Sequence, residues 1–374
     1  MRRRRLAPAL AALALLAAIA WSVGPVRSFL GRTTCGLDAP DAGRRVNVTL
    51  RRVVALGDDA ALAVGSRYAA AVGLPVAFRW DGSRWDETSV PVASEIVTSG
   101  LHDVATAGGD AWAVGSTQAT TPFAVAWDGE AWSRVATVGI DAERAEWLGV
   151  AASDAGTWAV GKRTSEATDR AIVGRLDGVV FLASDLAAVG ARGDVLADVA
   201  VAGDVGWAVG WSVDEGGARR PLAARLEEGA WTVVPTPDAG DAVLASVAVV
   251  GPDEAWAVGW TLDAEGDPSP LVLHAQGAEW SLVAGPRAAG RLLAVAARGP
   301  ALLVAGEATD GDGRPEGFLA SLVDGEWEDL DLPEATDRWL TSLDLAPDGA
   351  FVGVGDAIGE DERYGSFLVT GCAP

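Results

Sequence analysis

The sequence predicts an all-β fold, a seven-bladed β-propeller of four-stranded antiparallel blades closed by an N-terminal strand pairing with the last blade. Three observations predict it. A block of about 48 residues recurs seven times, closing on Gly65, Gly115, Gly161, Gly210, Gly259, Gly306 and Gly355 at spacings of 50, 46, 49, 49, 47 and 49. Its signature, Trp-Ala-Val-Gly, is complete at Trp112–Gly115, Trp158–Gly161, Trp207–Gly210 and Trp256–Gly259, and degenerate at Leu62–Gly65, Leu303–Gly306 and Val352–Gly355. Within each block, short apolar runs alternate with Gly and Asp turns, and no helical period of useful length intervenes. A repeat of this length made only of short strands is the pattern of a propeller.

The second block shows the elements in order. Leu101-His-Asp-Val-Ala opens a first strand, and Gly108-Gly109-Asp110 turns it into Ala111-Trp-Ala-Val-Gly. A polar loop, Ser116 to Thr121, leads to Pro122-Phe-Ala-Val-Ala-Trp127; Asp128-Gly129 makes a hairpin into Trp132-Ser-Arg-Val-Ala. Asp-Gly between apolar runs favours a tight hairpin because Gly tolerates positive φ. Side chains alternate along a strand, so Trp112 and Val114 share one face and Ala113 and Gly115 the other. A bulky row on one blade can then meet a small row on the next. Trp112, Trp158, Trp207 and Trp256 are accordingly expected between blades, as is the fourth-strand family Trp85, Trp132, Trp231, Trp280 and Trp327.

The first strands are expected to begin near 50, 101, 148, 196, 244, 292 and 340. The seventh block ends one strand short at Cys372. Counting back from Leu50 by the spacing that separates other fourth-strand Trp residues from the next blade lands on Cys35. A ring-closing strand near 33–38 and a Cys35–Cys372 disulfide are therefore expected, which implies an oxidising compartment. The N-terminus agrees. Arg2–Arg5 precede an uncharged stretch, Leu6–Val26, of 21 residues. That length suits a membrane-spanning helix with the propeller outside, while Ala18-Ile-Ala20 suits cleavage of a signal peptide. Residues 1–27 are thus read as a signal peptide or membrane anchor, 28–34 as a tether and 35–374 as the propeller, placed outside the cytoplasm.

Charge excludes some partners. The chain carries 29 basic and 52 acidic residues, a net −23. Such a surface repels nucleic acid and anionic headgroups and favours basic partners. Catalytic signatures are scarce: the two histidines, His102 and His274, lie in different blades, and no cysteine–histidine metal spacing or phosphate loop occurs. No catalytic residue, metal ligand or cofactor is expected.

Binding residues are sought in the variable loops joining second and third strands, which share one face with the loops between blades. Asp263, Asp267, Asp310 and Asp312 make that face acidic; Asp310-Gly-Asp312-Gly resembles the start of a calcium loop but has Ser321 where its last ligand should be. Trp211 and Trp260 follow the motif glycines in adjacent blades and suit a sugar or a protein partner if exposed, inter-blade packing if not. Trp147, Arg291 and Trp339 precede first strands and are expected to ring the channel mouth.

The run Trp112-Ala-Val-Gly with Trp127-Asp-Gly-Glu-Ala-Trp132 resembles a blade of secreted bacterial propellers, themselves similar to Kelch and galactose-oxidase-type propellers. Ser153-Asp-Ala-Gly-Thr-Trp158 resembles the Asp-box of sialidase-like propellers, one residue short. The resemblance covers about residues 33–374 and implies fold rather than activity. Nothing here matches the oxidase's copper ligands, which require tyrosines and histidines, the only tyrosines being Tyr68 and Tyr364. The sialidase arginine triad and catalytic tyrosine cannot be placed on this chain. Together these readings lead to a non-catalytic extracytoplasmic binding or assembly module. Its partner would be an envelope protein or, alternatively, a glycan bound by a lectin or divergent hydrolase.

Overall fold

In the computed structural model, residues 45–372 are described apart from 58–59, 70–71, 93–97, 119–120, 288, 310–314, 331, 333–337, 348 and 359–363. They form 28 strands and no helix. The first, β1, is Arg45–Val46. Blade one follows as β2 Val48–Gly57, β3 Ala60–Ala69, β4 Val72–Trp80 and β5 Trp85–Thr88. Blade two is β6 Ser99–Ala107, β7 Asp110–Thr117, β8 Thr121–Trp127 and β9 Trp132–Val138; blade three is β10 Arg144–Ser153, β11 Gly156–Ser165, β12 Thr168–Asp177 and β13 Val180–Asp185. Blade four is β14 Gly193–Ala202, β15 Val205–Val213, β16 Arg219–Glu227 and β17 Ala230–Val234. Blade five is β18 Asp241–Gly251, β19 Glu254–Leu262, β20 Pro268–Gln276 and β21 Glu279–Val283. Blade six is β22 Arg291–Arg298, β23 Ala301–Thr309, β24 Pro315–Val323 and β25 Glu326–Leu330; blade seven is β26 Arg338–Leu345, β27 Ala350–Ile358 and β28 Tyr364–Cys372. Each blade is an antiparallel meander, and β1 pairs with β28, Arg45 opposite Ser366. This is a β-propeller.

The core lies between blades. Seven apolar clusters occur among the described residues, each built from two successive blades, and one of them joins blade one to blade seven. Their composition follows from strand alternation. Trp207 and Val209 of blade four lie against Ala255 and Ala257 of blade five, while Ala208 turns to blade three. Bulky and small rows thus interdigitate around the ring, as packing at crystal-like density requires. The two tryptophan families meet there, Trp207 edge-on to Trp280 at 4.7 Å and Trp158 edge-on to Trp231 at 5.8 Å. Outer strands β9 and β13 also pair in parallel, Ala136 opposite Val180, joining blades two and three at their rims.

The motif glycine has a specific cause. In every blade it sits opposite the first-strand residue Leu50, Leu101, Trp147, Leu196, Leu244, Leu292 or Leu340, and the next first-strand residue is bulged out of register. That bulge brings the carbonyl before the leucine over the glycine Cα. A Cβ at any of the seven glycines would overlap that carbonyl oxygen, from Thr49 at Gly65 to Trp339 at Gly355. The alanine, valine and tryptophan of the motif fill interfaces; the glycine makes room for backbone.

Two expectations meet this geometry differently. The strand beside β28 is Arg45–Val46, downstream of the expected 33–38. Residues 33–38, Cys35 and the Leu6–Val26 stretch lie outside the described residues, as therefore does the Cys35–Cys372 pairing. Among the described residues no helix is long and apolar enough to cross a membrane. Trp147 is corrected: it does not precede the first strand but takes the place of its leucine, fully buried against Phe181 and donating its indole N–H to Thr137 Oγ1 at 3.1 Å. Leu148 is the bulged residue.

Replacing Gly210 by alanine would force the inner strand off its pairing partner. We expect Gly210→Ala to lower unfolding free energy by about 3 kcal/mol or more, or to prevent folding, as steric insertion into a packed site does. Gly251, around which a Cβ would meet nothing within 4 Å, is the control: Gly251→Ala should change the urea midpoint little.

Candidate functional site

The innermost strands β2, β6, β10, β14, β18, β22 and β26 surround a central channel. Each bulged residue is partly exposed between buried neighbours in six blades, and in blade one the bulged Arg51 is exposed beside the half-buried Arg52, so the bulge aims one side chain per blade into the channel. In four blades the residue after it bonds a backbone amide of the next blade. Asp103 Oδ2 accepts from Val150 N at 2.6 Å, Asp198 Oδ2 from Val247 N at 2.9 Å, Ser246 Oγ from Val295 N at 3.4 Å and Ser342 Oγ from Val53 N at 3.2 Å. These amides lie on the inner edges of sheets, where no further strand can pair with them, and buried amides need partners.

Arg52 occupies the same position in blade one and does something different. Its Nε binds Asp103 at 2.7 Å and its Nη2 binds Asp198 at 2.6 Å, tying blade one to blades two and four. The carboxylates are buried, and their remaining contacts are also donors: Val104 N to Asp103, and Val199 N and Ser246 Oγ to Asp198. Burial pushes the Asp103 carboxyl up, to about 7; Arg52 pulls it down and the Asp198 charge adds to the rise. Burial opposes the Arg52 charge too, but Asp103 and Asp198 outweigh it and hold the guanidinium above its ordinary value. Burial also raises Asp344, which accepts from Ala55 N across the junction of blades seven and one. Nothing in the repeat marked Arg52, Asp103 or Asp198 as partners.

At the channel mouth the expected residues are partly brought together. Trp211 and Trp260 hold equivalent places in blades four and five and are both half-buried, neither freely exposed nor lost in the core. The Arg291 guanidinium lies over Trp260 at 5.8 Å and pairs with Glu307 at 2.7 Å. Trp339, one residue before the blade-seven leucine, is half-buried at the same level as Arg291. Asp263 holds its own loop together: its Oδ1 accepts from Glu265 N and Asp267 N. Asp267 is exposed in that turn, and Asp310 and Asp312 lie outside the described residues. Basic residues on this face reach acids within their hairpin or on the next blade: Arg220 to Asp214 at 3.1 Å, Arg219 to Asp241 at 2.9 Å and Arg170 to Asp194 at 3.7 Å. The hairpins between second and third strands are therefore pinned to their neighbours.

The opposite face carries a feature that the loop pattern missed. Second-strand tryptophans stack with the side chain directly across on the third strand: Trp158 with Arg175, Trp207 with Arg225, Trp256 with His274. Arg225 and His274 also have acidic partners, Glu227 and Glu254. A cleft of about 280 Å³ opens beside Trp158 and Arg175, with Asp204 and Glu228 in its wall. The signal was present in sequence as a basic residue 17 or 18 positions after three of the four motif tryptophans, Trp158, Trp207 and Trp256. Among the described residues no group of three or more acidic, histidine or cysteine side chains is placed to hold a metal ion.

No protein-family model matches the chain, and no curated protein sequence does. Similarity is found in solved structures. A chain described as YCF48 bound to D1 peptide superposes with a TM-score of 0.56, at 13% identity, covering 88% of this chain and 95% of that one. At this identity the likeness concerns the fold, and it places the chain among β-propellers.

The buried ties set two measurable outcomes. Arg52→Met leaves two buried carboxylates without their cation and should cost about 3–5 kcal/mol in urea unfolding. The folded chain holds the Asp103 proton more tightly than the unfolded chain, whose carboxyl keeps its ordinary value of 3.8. Stability from this group is complete below that value and is lost as pH rises through about 7. Asp103→Asn should remove that part of the decline when unfolding free energies at several pH values between those limits are compared with those of the parent.

Proposed function

We propose that this propeller is a non-catalytic, extracytoplasmic binding module that docks a protein partner on the loop face around the channel mouth. The observation that carries the reading is the set Trp211, Trp260, Arg291 and Trp339, half-buried in four consecutive blades on a ring whose neighbouring hairpins are pinned by ion pairs. Tryptophan and arginine are the residues that dominate interface energetics when partly sheltered on a rigid surface. A pre-ordered surface also loses little entropy on binding. The acidic surround, including Asp267, favours a partner with basic residues at its rim and speeds its approach. A structure described as YCF48 bound to D1 peptide provides a propeller of this fold holding a peptide, in support of the same use here. The export reading rests on the arginine-flanked apolar N-terminus, and the envelope is where such a partner would be met.

A crosslinking pull-down from the native envelope, with the segment from Ser28 onward as bait, tests the proposal. One or two proteins should be recovered, less at high salt, and lost with the Trp211→Ala, Trp260→Ala double variant. Polysaccharide retained on the bait in place of protein would overturn the protein-docking reading in favour of a lectin.

A further inference from the structure

Just inside the mouth, the seven bulged residues form a ring whose polar groups are not all used by the fold. Arg51, in blade one, is exposed and makes no ion pair or hydrogen bond among the described residues. His102 is its counterpart in blade two. Its Nδ1 lies 2.8 Å from the carbonyl oxygen of Trp147. A carbonyl only accepts, so Nδ1 carries the hydrogen and the Nε2 lone pair is left over. Burial lowers the His102 pKa, while the Trp147 bond and the Glu146 charge act against that fall and Arg51 reinforces it. Arg51 and His102 hold the same bulged position on the adjacent inner strands β2 and β6. Leu148, Ala197, Ala245 and Leu293 make the rest of the ring apolar, and Thr341 spends its hydroxyl on Val354 O.

One residue deeper, Arg52 reaches across to Asp103 and Asp198 and makes a floor of buried ion pairs. Both floor carboxylates already accept from Arg52 and from backbone amides, which leaves them little to offer a ligand. Glu146, near His102, is engaged by Lys162 at 3.7 Å. What remains unspent is one guanidinium, one nitrogen acceptor and an apolar wall facing them.

We propose that this end of the channel is a binding cup for a small organic carboxylate that carries an adjacent hydrogen-bond donor and a short apolar group. The carboxylate goes to Arg51, the donor to His102 Nε2, and the apolar group to the wall of Leu148, Ala197, Ala245 and Leu293. Arginine suits the first role because its planar fork matches a carboxylate. A lone exposed cation on an acidic protein also favours a singly charged ligand, since multiply charged anions are repelled by the surrounding surface. A free hydroxy acid and the last residue of a peptide chain both present this chemistry. The proposal does not depend on the rim being a protein-docking surface.

The test is calorimetric titration of the full chain with four probes: N-acetyl-L-valine, its amide, 2-hydroxy-3-methylbutyrate and acetyl-Ala-Ala-Ala-Val. The acids should bind and the amide should not. Arg51→Ala should weaken acid binding roughly tenfold or more, the usual scale for a charge-assisted hydrogen bond, and should fold normally because Arg51 holds nothing. Stronger binding of the tetrapeptide would assign a chain end as ligand, and stronger binding of the hydroxy acid a free metabolite; either supports the cup. Equal binding of N-acetyl-L-valine and its amide, unchanged affinity in Arg51→Ala, or no binding of any acid at about 10 mM would overturn it. Probe titration and envelope pull-down read different residues, so this cup and the rim reading can fail separately.

Discussion

The structure depends on the approach of an inner-strand carbonyl to a glycine that has no side chain to resist it. This contact recurs in all seven blades, and at each one the inner strand gains a bulge. The bulge has two consequences. It turns one side chain per blade into the channel, and in four blades it presents the following residue, Asp103, Asp198, Ser246 or Ser342, to an amide of the next blade. A residue kept for lack of a Cβ thus determines what the channel contains and how neighbouring blades are linked at their inner edges. Apolar burial supplies the bulk of the stabilisation between blades, but it is non-directional. The hydrogen bonds set by the bulge add the directional part.

Arg52 departs from that scheme and shows what it can tolerate. Two buried carboxylates beside one another would repel, and each would be costly without a donor. One guanidinium serves both, and amides of the same or following blades take the remaining lone pairs. The arrangement joins the inner strands of blades one, two and four across the channel. A buried ion pair of this kind is better evidence of specificity than of net stability. Here it links three blades, and the raised Asp103 carboxyl records the cost of burying its charge.

Much of the fold was legible from single residues. Motif spacing located the second strands, Asp-Gly turns located hairpins, and the alternation of Trp and Val with Ala indicated which rows would face across each interface. The reading failed where two neighbours satisfied the same pattern. Trp147-Leu148 offers a leucine at the expected spacing, yet the larger indole fills the interface and the leucine is bulged out. Sequence patterns recognise apolar character; they do not show which of two adjacent apolar groups a cavity will accept. Asp263 was similarly legible as acidic but not as the acceptor of its own loop amides. The rim residues Trp211, Trp260 and Arg291 were marked by their positions, while the stacking of Arg291 on Trp260 needed the blades in place.

By itself the sequence determined the class of fold, the repeat, the strands, the interface rows and the acidic balance, because each is written in the order of neighbouring residues. Only the tertiary structure decided which distant groups meet. Arg52 and Asp198 are separated by 146 residues, and no local periodicity records that separation. The cup, its floor and its unused guanidinium exist because ring packing places seven bulges around one axis.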